Sequence, residues 1–476
     1  MIYKPFWNSL NKHNVPAWFK DAKFGIYTHW GIYSVPAKGP NGSWYPYHMY
    51  QKGTGQYAYH TKTYGRPSGF GYKDFIPMLT GKKFDPDEWA RLFKKAGAEF
   101  AGPVGMHHDG FAMWDSRITK WNAANMGPKR DIVGCLEKSI RKTGMKFMVA
   151  MHHAENWYFF PHWEKSFDTS DPRYTGLYGD LHNTGKPPKK INDWNLQEKP
   201  NRKFHDKWLN ILKEVTDNYK PDMLWFDFGI RHINDFFRRK YFAYYYNMAE
   251  KLKREVIVTY KYHDIPPNSA VNDIELGRLN EIAYHHWLTD TTVDDGQGWG
   301  YLKDAKYKEP STLIHYLADN VSKNGRLLLN IGPNPDGEIP LEAKNILLEI
   351  GKWLEINGEA IYGTNPWTEY GEGPAKMLKT GPFCEDKDVK YSAKDLRFTV
   401  KDNTLYVICL GCPKEKIIIT KGLKWVSKDE IKTVRALGSK EKLSWKMGRD
   451  CFLIEPPRIK PCEHANVFKI ERKCPF

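Results

Sequence analysis

Histidines and carboxylates stand where chemistry is easiest to build. His29-Trp30, His107-His108-Asp109, His152-His153, Asp227 and Glu275 each lie at or beyond the end of a short apolar run. An imidazole can grip a hydroxyl or move a proton, and a carboxyl can attack, protonate or deprotonate. Two chemistries compete for such a set. Metal-assisted hydrolysis needs ligands two apart on a strand, because neighbours point to opposite faces. By that rule each His-His pair, His285-His286 included, puts one ring into a shared mouth, and no H-x-H or H-E-x-x-H occurs among them. No catalytic metal and no other cofactor is expected. Glycoside hydrolysis needs two carboxyls flanking the bond, with Trp and His to hold the sugar. Asp227 ends the run Asp222–Phe228, where Met223, Trp225 and Asp227 share one face. An Asp there also reads as a helix cap or ion-pair partner, and Glu275 in a polar loop also reads as a solvated charge.

These residues need a frame. Apolar runs at Lys23–Trp30, Glu99–His107, Lys146–His153, Asp222–Phe228, Glu255–Tyr262 and Arg326–Gly332 read as strands. Amphipathic spacing predicts helices over Asp87–Gly97, Val133–Thr143, Lys203–Tyr219, Asp235–Arg254, Ser311–Lys323 and Leu341–Asn357. Alternating strands and helices over most of the chain predict an α/β class, either a (β/α) TIM-like barrel or a doubly wound sheet. No G-x-G-x-x-G follows the first strand, which weighs against a dinucleotide fold. From about Thr368 the texture becomes short β-rich runs: Leu396–Val400, Thr404–Leu410, Lys416–Thr420 and Cys451–Ile454. We therefore expect a catalytic barrel over residues 1–365 and an all-β C-terminal sandwich over 366–476, packed together and not tethered.

Composition bounds the rest. The 476 residues carry a net charge of +16, and Gly381–Phe476 holds 21 basic against 13 acidic residues, half of that excess. Such an excess reads as a lysine-rich solvated surface or as one that attracts anions. For the latter an acidic polysaccharide suits it better than nucleic acid, because no arginine-rich arm or zinc finger is present. No apolar run is long enough for a membrane helix. No export signal is visible at Met1–Gly25, so a cytoplasmic location is favoured over a secreted one. Six of the seven cysteines follow residue 380, and free thiols are expected. Cys409-x-x-Cys412 lacks a second pair for zinc. Oligomeric state is not encoded legibly.

Longer motifs then fall in order: Ala22–Ala37 (AKFGIYTHWGIYSVPA), His107–Ser116 (HHDGFAMWDS), Gly127–Asp131 (GPKRD), Leu224–Asp227 (LWFD), Leu328–Pro333 (LLNIGP) and Asn357–Gly363 (NGEAIYG). With these the chain resembles glycoside hydrolase family 29, the α-L-fucosidases, over nearly its whole length. The resemblance implies a barrel followed by a β-sandwich, and an exo-acting, retaining hydrolysis of terminal α-L-fucosyl residues through a covalent glycosyl-enzyme. It implies Asp227 as nucleophile, His29, His107 and His108 as partners of sugar hydroxyls, and Trp44 at the sugar's edge. Phe24, Trp225 and Trp299 are candidates for the wall against the sugar's methyl group, and Phe24 also reads as core. Glu275, in Asp273-Ile274-Glu275-x-Gly277, is the preferred acid/base, ahead of Asp290 and Glu155. The segment from Trp157-Tyr158-Phe159-Phe160 to about Asn201 is expected over the mouth, with the aromatics either lining a leaving-group subsite or packed beneath the loop.

Two departures from the family pattern, Ser43 where many relatives carry Glu and Leu288 where many carry Glu, keep alternatives open. One is an α-L-galactosidase or related exo-glycosidase acting on acidic or sulfated polysaccharide. The other is a catalytically decayed sugar-binding protein. The leading partner is a fucosylated oligo- or polysaccharide.

Overall fold

Eight parallel strands close into a barrel in sequence order, β1 pairing with both β2 and β8. They are β1 Phe24–Thr28, β2 Phe100–Met106, β3 Lys146–Met151, β4 Met223–Phe226, β5 Ile257–Lys261, β6 Val271–Asp273, β7 Trp287–Thr292 and β8 Leu327–Ile331. The computed structural model describes residues 2–182, 198–296, 298–376, 379–385 and 389–473. Parallel strands buried on both faces read as continuous apolar runs, and six of the eight are legible in that way. The other two, β6 and β7, are not: one has three residues, and four of the six residues of WLTDTT carry a hydroxyl or carboxyl.

The long helices of the barrel are α1 Pro86–Lys95, α2 Ile132–Lys142, α3 Arg202–Tyr219, α4 Asp235–Lys251, α5 Pro310–Ser322 and α6 Leu341–Asn357. Short polar side chains start four of them. Asp85, Asp131, Asn201 and Asn234 each accept a backbone N–H from the first turn. Among the described residues, no long helix separates β5 from β6 or β6 from β7. Those crossovers are loops, and they carry Glu275.

Inside the barrel the core is one residue in two. Tyr27, Phe100, Val104, Met148, Ala150, Met223, Trp225, Ile257, Val271, Leu288 and Leu328 pack together. Their neighbours, among them Phe24, Ile26, Val149, Leu224, Phe226 and Leu329, pack outward in a separate cluster with the helices. Of the two readings of Phe24, sugar wall or core, the structure gives the second: it is a helix-facing core residue.

The C-terminal region forms two antiparallel sheets. The strands are β9 Asn365–Glu372, β10 Leu396–Lys401, β11 Thr404–Cys409, β12 Ile417–Ile419, β13 Ile431–Ala436, β14 Trp445–Met447, β15 Phe452–Ile454 and β16 Asn466–Arg472. One sheet runs β13-β16-β11-β10-β9 and the other β12-β15-β14. Leu405, Val407 and Cys409 face the second sheet, whereas Tyr406 and Ile408 join the core shared with the barrel helices. Both faces of β11 are thus covered, and the barrel and sandwich pack together. Across their seam the Trp353 indole N–H donates to the Ala465 carbonyl at 2.8 Å. Arg397 on β10 meets Asp319 on α5 at 2.6 Å, and Lys323 meets the same carboxylate at 2.8 Å. All three side chains are at most 5% exposed. The described cysteines are free thiols, and no helix among the described residues is long and apolar enough to cross a membrane.

Asp319→Asn leaves two buried cations short of their counter-charge, which costs about 3–5 kcal/mol. Thermal unfolding is expected to begin several degrees lower, read by calorimetry against an exposed control such as Asp304→Asn.

Candidate active site

The inward alternation continues past each strand end and delivers the site. Tyr27 precedes His29, Ala150 precedes His152, and Trp225 precedes Asp227, each two residues further up the barrel. On the same parity Ile257 leads to Lys261, Val271 to Asp273 and Glu275, Leu288 to Asp290, and Leu328 to Asn330. Side chains from all these strands converge at the C-terminal mouth, where barrel enzymes carry their sites.

Asp227 stands immediately after β4 with a side chain 10% exposed. Its Oδ2 accepts the His152 Nδ1–H at 3.0 Å, and His108 Nε2 stands at 3.2 Å. The Lys261 ammonium lies 3.6 Å from Oδ1. Burial raises the carboxyl, but Lys261, His152 and the histidine hydrogen bonds outweigh it and hold Asp227 well below its usual value. Gly229, with φ of 93°, turns the chain just beyond, and a Cβ there would meet Glu155 Oε2 at 2.7 Å.

Glu275 follows β6 and is fixed through its backbone. The flanking N–H groups of Ile274 and Leu276 donate to Leu288 and Asp290 carbonyls at 2.8 and 3.0 Å, and the Glu275 carbonyl accepts Phe383 N–H at 2.7 Å. Its Oε2 meets Lys261 at 2.8 Å. Burial pushes this carboxyl up, Lys261 pulls it back, and the Asp290 and Asp227 charges push it up again, leaving it at about 7. Since one ammonium touches both carboxylates, their nearest oxygens are separated by less than the sum of those two contacts. That bound admits the roughly 5–5.5 Å gap of a retaining pair.

The other two acid/base candidates occupy different ground. Asp290 is fully buried and committed to Tyr27 OH at 2.8 Å and Lys261 at 3.3 Å. Glu155 is buried facing His232 at 3.6 Å, and desolvation pushes it well above the ordinary range. Of the three, Glu275 lines the cleft, a space of about 990 Å³ bordered by Trp44, Phe228, Arg231, Tyr262 and Trp299.

The histidine rule needs correction at one pair. His107 and His108 lie past the end of β2, just after a register shift between Val104 and Met106, so strand alternation no longer separates them. The His107 ring is 5.6 Å from His29 and 4.7 Å from His152, while His108 reaches Asp227 and stands 5.3 Å from Trp44. The rule holds at the next pair: His152 points in, and His153 stacks on Trp208 of α3. His286 hydrogen-bonds Asn324, away from the mouth.

Asn330 orders the far wall. Its Oδ1 accepts from His29 N and Nδ1, and its Nδ2 donates to the Trp299 carbonyl at 2.6 Å. His29 therefore turns Nε2 out as an acceptor. Burial lowers His29 and His107 well below the usual range and His152 to about 4, so these rings are neutral at pH 7. Such rings suit hydroxyl donors. Ring nitrogens of His29, His107 and His152 lie within 4.8 Å of one another, as do those of His108 and His152 with Asp227, so either group could hold a metal ion. Trp225 is 1% exposed, lies 4.8 Å from the Lys261 ammonium and donates its N–H to Asp273. It floors the site, and Trp299 rims it. Trp44 stacks on Phe228 at 6.0 Å. Phe159 stands 5.2 Å from Trp44, whereas Trp157 and Phe160 are core. None of these three borders the cleft, so the aromatic run packs beneath the mouth. Residues 183–197 of that segment lie outside the described residues.

The family profile described as α-L-fucosidase matches residues 1–359, and that of the α-L-fucosidase C-terminal domain matches 389–471. The chain belongs to the α-L-fucosidase family. It is 32% identical to the bovine tissue α-L-fucosidase, covering 98% of this chain and 91% of that one. It is 30% identical to the human tissue α-L-fucosidase with the same coverage of each chain. The crystal structure of Thermotoga maritima α-fucosidase in complex with fucose superposes with a TM-score of 0.78 at 31% identity, covering 98% of this chain and 100% of that one. The protein is a glycoside hydrolase of family 29, an α-L-fucosidase acting on fucosylated glycans. The α-L-galactosidase and decayed-site alternatives give way to that activity.

His107→Ala and His108→Ala are each expected to weaken L-fucose binding by roughly tenfold in calorimetric titration, as loss of a buried hydrogen-bond partner does. His153→Ala, one residue out of register from His152, should lower the melting temperature and leave fucose affinity unchanged.

Proposed function

We propose that this fucosidase works by a retaining mechanism in which Asp227 is the nucleophile and Glu275 the acid/base. The observation that carries the assignment is the pair's opposite electrostatics on one shared cation. Asp227 is held ionised by Lys261 and His152, and Glu275 is held protonated up to about pH 7. Two carboxyls pushed apart in this way divide the roles of nucleophile and acid. In the first half-reaction Asp227 bonds to the anomeric carbon while Glu275 gives its proton to the departing oxygen. In the second, water gives its proton to Glu275 and its oxygen displaces Asp227. His29, His107 and His108 hold the sugar hydroxyls, while Trp44 and Trp299 border the ring and Trp225 backs it.

Wild type should release nitrophenol from 4-nitrophenyl α-L-fucoside, and Asp227→Gly should lose at least about a thousandfold in kcat. Azide, filling the space of the missing carboxylate, should restore part of that rate. A glycine variant that stays active without azide would remove Asp227 from the nucleophile's role.

Charge supports a narrower substrate, an acidic or sulfated fucan. The chain carries +16, and Arg231, with a side chain 52% exposed, borders the cleft 4.0 Å from its nearest carboxylate, Asp264. A sulfated fuco-oligosaccharide should outcompete its desulfated form at low salt, and Arg231→Gln should remove the preference. Equal inhibition by both forms counts against an anionic substrate.

A further inference from the structure

Lys261 lies at the centre of a group of acids that meet from three strands. Its ammonium, 2% exposed, is 2.8 Å from Glu275, 3.3 Å from Asp290 and 3.6 Å from Asp227. The indoles of Trp225 and Trp299 lie at 4.8 and 5.7 Å. Asp273 on β6 adds to the negative field, and the neutral His29 beyond β1 and His152 beyond β3 stand nearby. Asp290 is anchored as well by Tyr27 on β1, whose OH donates to Oδ2 at 2.8 Å. Lys261 is thus tied to one fixed acid, and its remaining contacts are divided between the two carboxyls of the proposed mechanism.

Retaining hydrolysis moves one negative charge between those two carboxyls. In the first half-reaction Asp227 becomes a neutral ester as the glycosidic C–O bond breaks, and Glu275, having given its proton to the leaving oxygen, becomes a carboxylate. In the second half-reaction the water proton neutralises Glu275 and Asp227 leaves as a carboxylate. The total charge around Lys261 stays constant while its location alternates. We propose that Lys261 is the positioning residue for this exchange, its ammonium neutralising Asp227 in the free enzyme and Glu275 in the glycosyl-enzyme, so that one cation serves both half-reactions.

The proposal rests on the assignment of Asp227 and Glu275, which azide rescue of Asp227→Gly tests separately. Its own test is the pH dependence of kcat/KM, with the pre-steady-state release of nitrophenol, in Lys261→Met and Lys261→Arg. Wild type should lose activity as pH rises through about 7, where Glu275 loses its proton. Lys261 favours the charged form of both carboxyls, so in Lys261→Met both limbs should move to higher pH, by about 1–3 units. At pH 6 Glu275 would then stay protonated in the glycosyl-enzyme. Deglycosylation should lag, giving a burst of nitrophenol and a fucosyl adduct on Asp227 detectable by mass spectrometry. Azide, which needs no base, should remove the burst, and Lys261→Arg should restore both limbs. Should the methionine variant fail to fold, Lys261→Gln gives the same readout. A fall in kcat with unmoved limbs and no burst would make Lys261 a packing residue and overturn the proposal. Failure of azide rescue with the limbs still shifted would instead overturn the assignment of Asp227.

Discussion

Parallel strands that close on themselves leave each residue two destinations, the interior of the barrel or the helices outside. The site inherits its geometry from that choice. Below the mouth the inward positions are filled by Met148, Met223, Ile257, Leu288 and Leu328, which make the interior solid. Above them the same parity brings forward His29, His152, Asp227, Lys261, Glu275 and Asp290. The proposed chemistry therefore stands on a packed floor, and Glu275, which a loop carries, is held there by backbone hydrogen bonds on both sides.

Placing so many ionisable groups in one buried space is expensive unless their charges are matched. The matching here is uneven by construction. Asp227 has two histidines and a lysine, Asp290 has a tyrosine and the same lysine, and Glu275 has the lysine while facing two like charges. The unevenness pushes the two carboxyls apart, Asp227 well below the usual range and Glu275 up to about 7. Neutral histidines around them add hydrogen-bonding capacity without adding charge.

The frame was legible in the sequence wherever a strand was apolar from end to end. LLLNI and FMVAM announce themselves, while VND and WLTDTT do not, because one is only three residues long and polar residues interrupt the other. Asp227 could be read from a W-x-D run but Lys261 could not. A lysine at the end of IVTYK looks like the solvated edge of a strand until the next strand supplies its acids. Its parity with Ile257 and Thr259 was the available signal. His108 was recognised by family resemblance against the alternation rule, which fails where β2 shifts register and ends. In the C-terminal region β9, β13 and β14 escaped notice because exposed residues interrupt their apolar pattern, and β16 because Lys469, Glu471 and Arg472 interrupt it although none of its residues is exposed.

The chain beyond the barrel also reaches the loop that carries Glu275. Phe383 N–H bonds the Glu275 carbonyl at 2.7 Å, Glu385 N–H bonds that of Leu276 at 2.6 Å, and the buried Glu385 carboxylate ties down Thr291 and Lys308. These residues lie between β9 and β10, within the sheet region. A shortened enzyme ending after α6 would keep every residue named in the mechanism and still lack the clamp on one of them. The two lobes are therefore poor interchangeable parts: grafting a foreign sandwich onto this barrel would have to reproduce that clamp before it could recover a working catalyst.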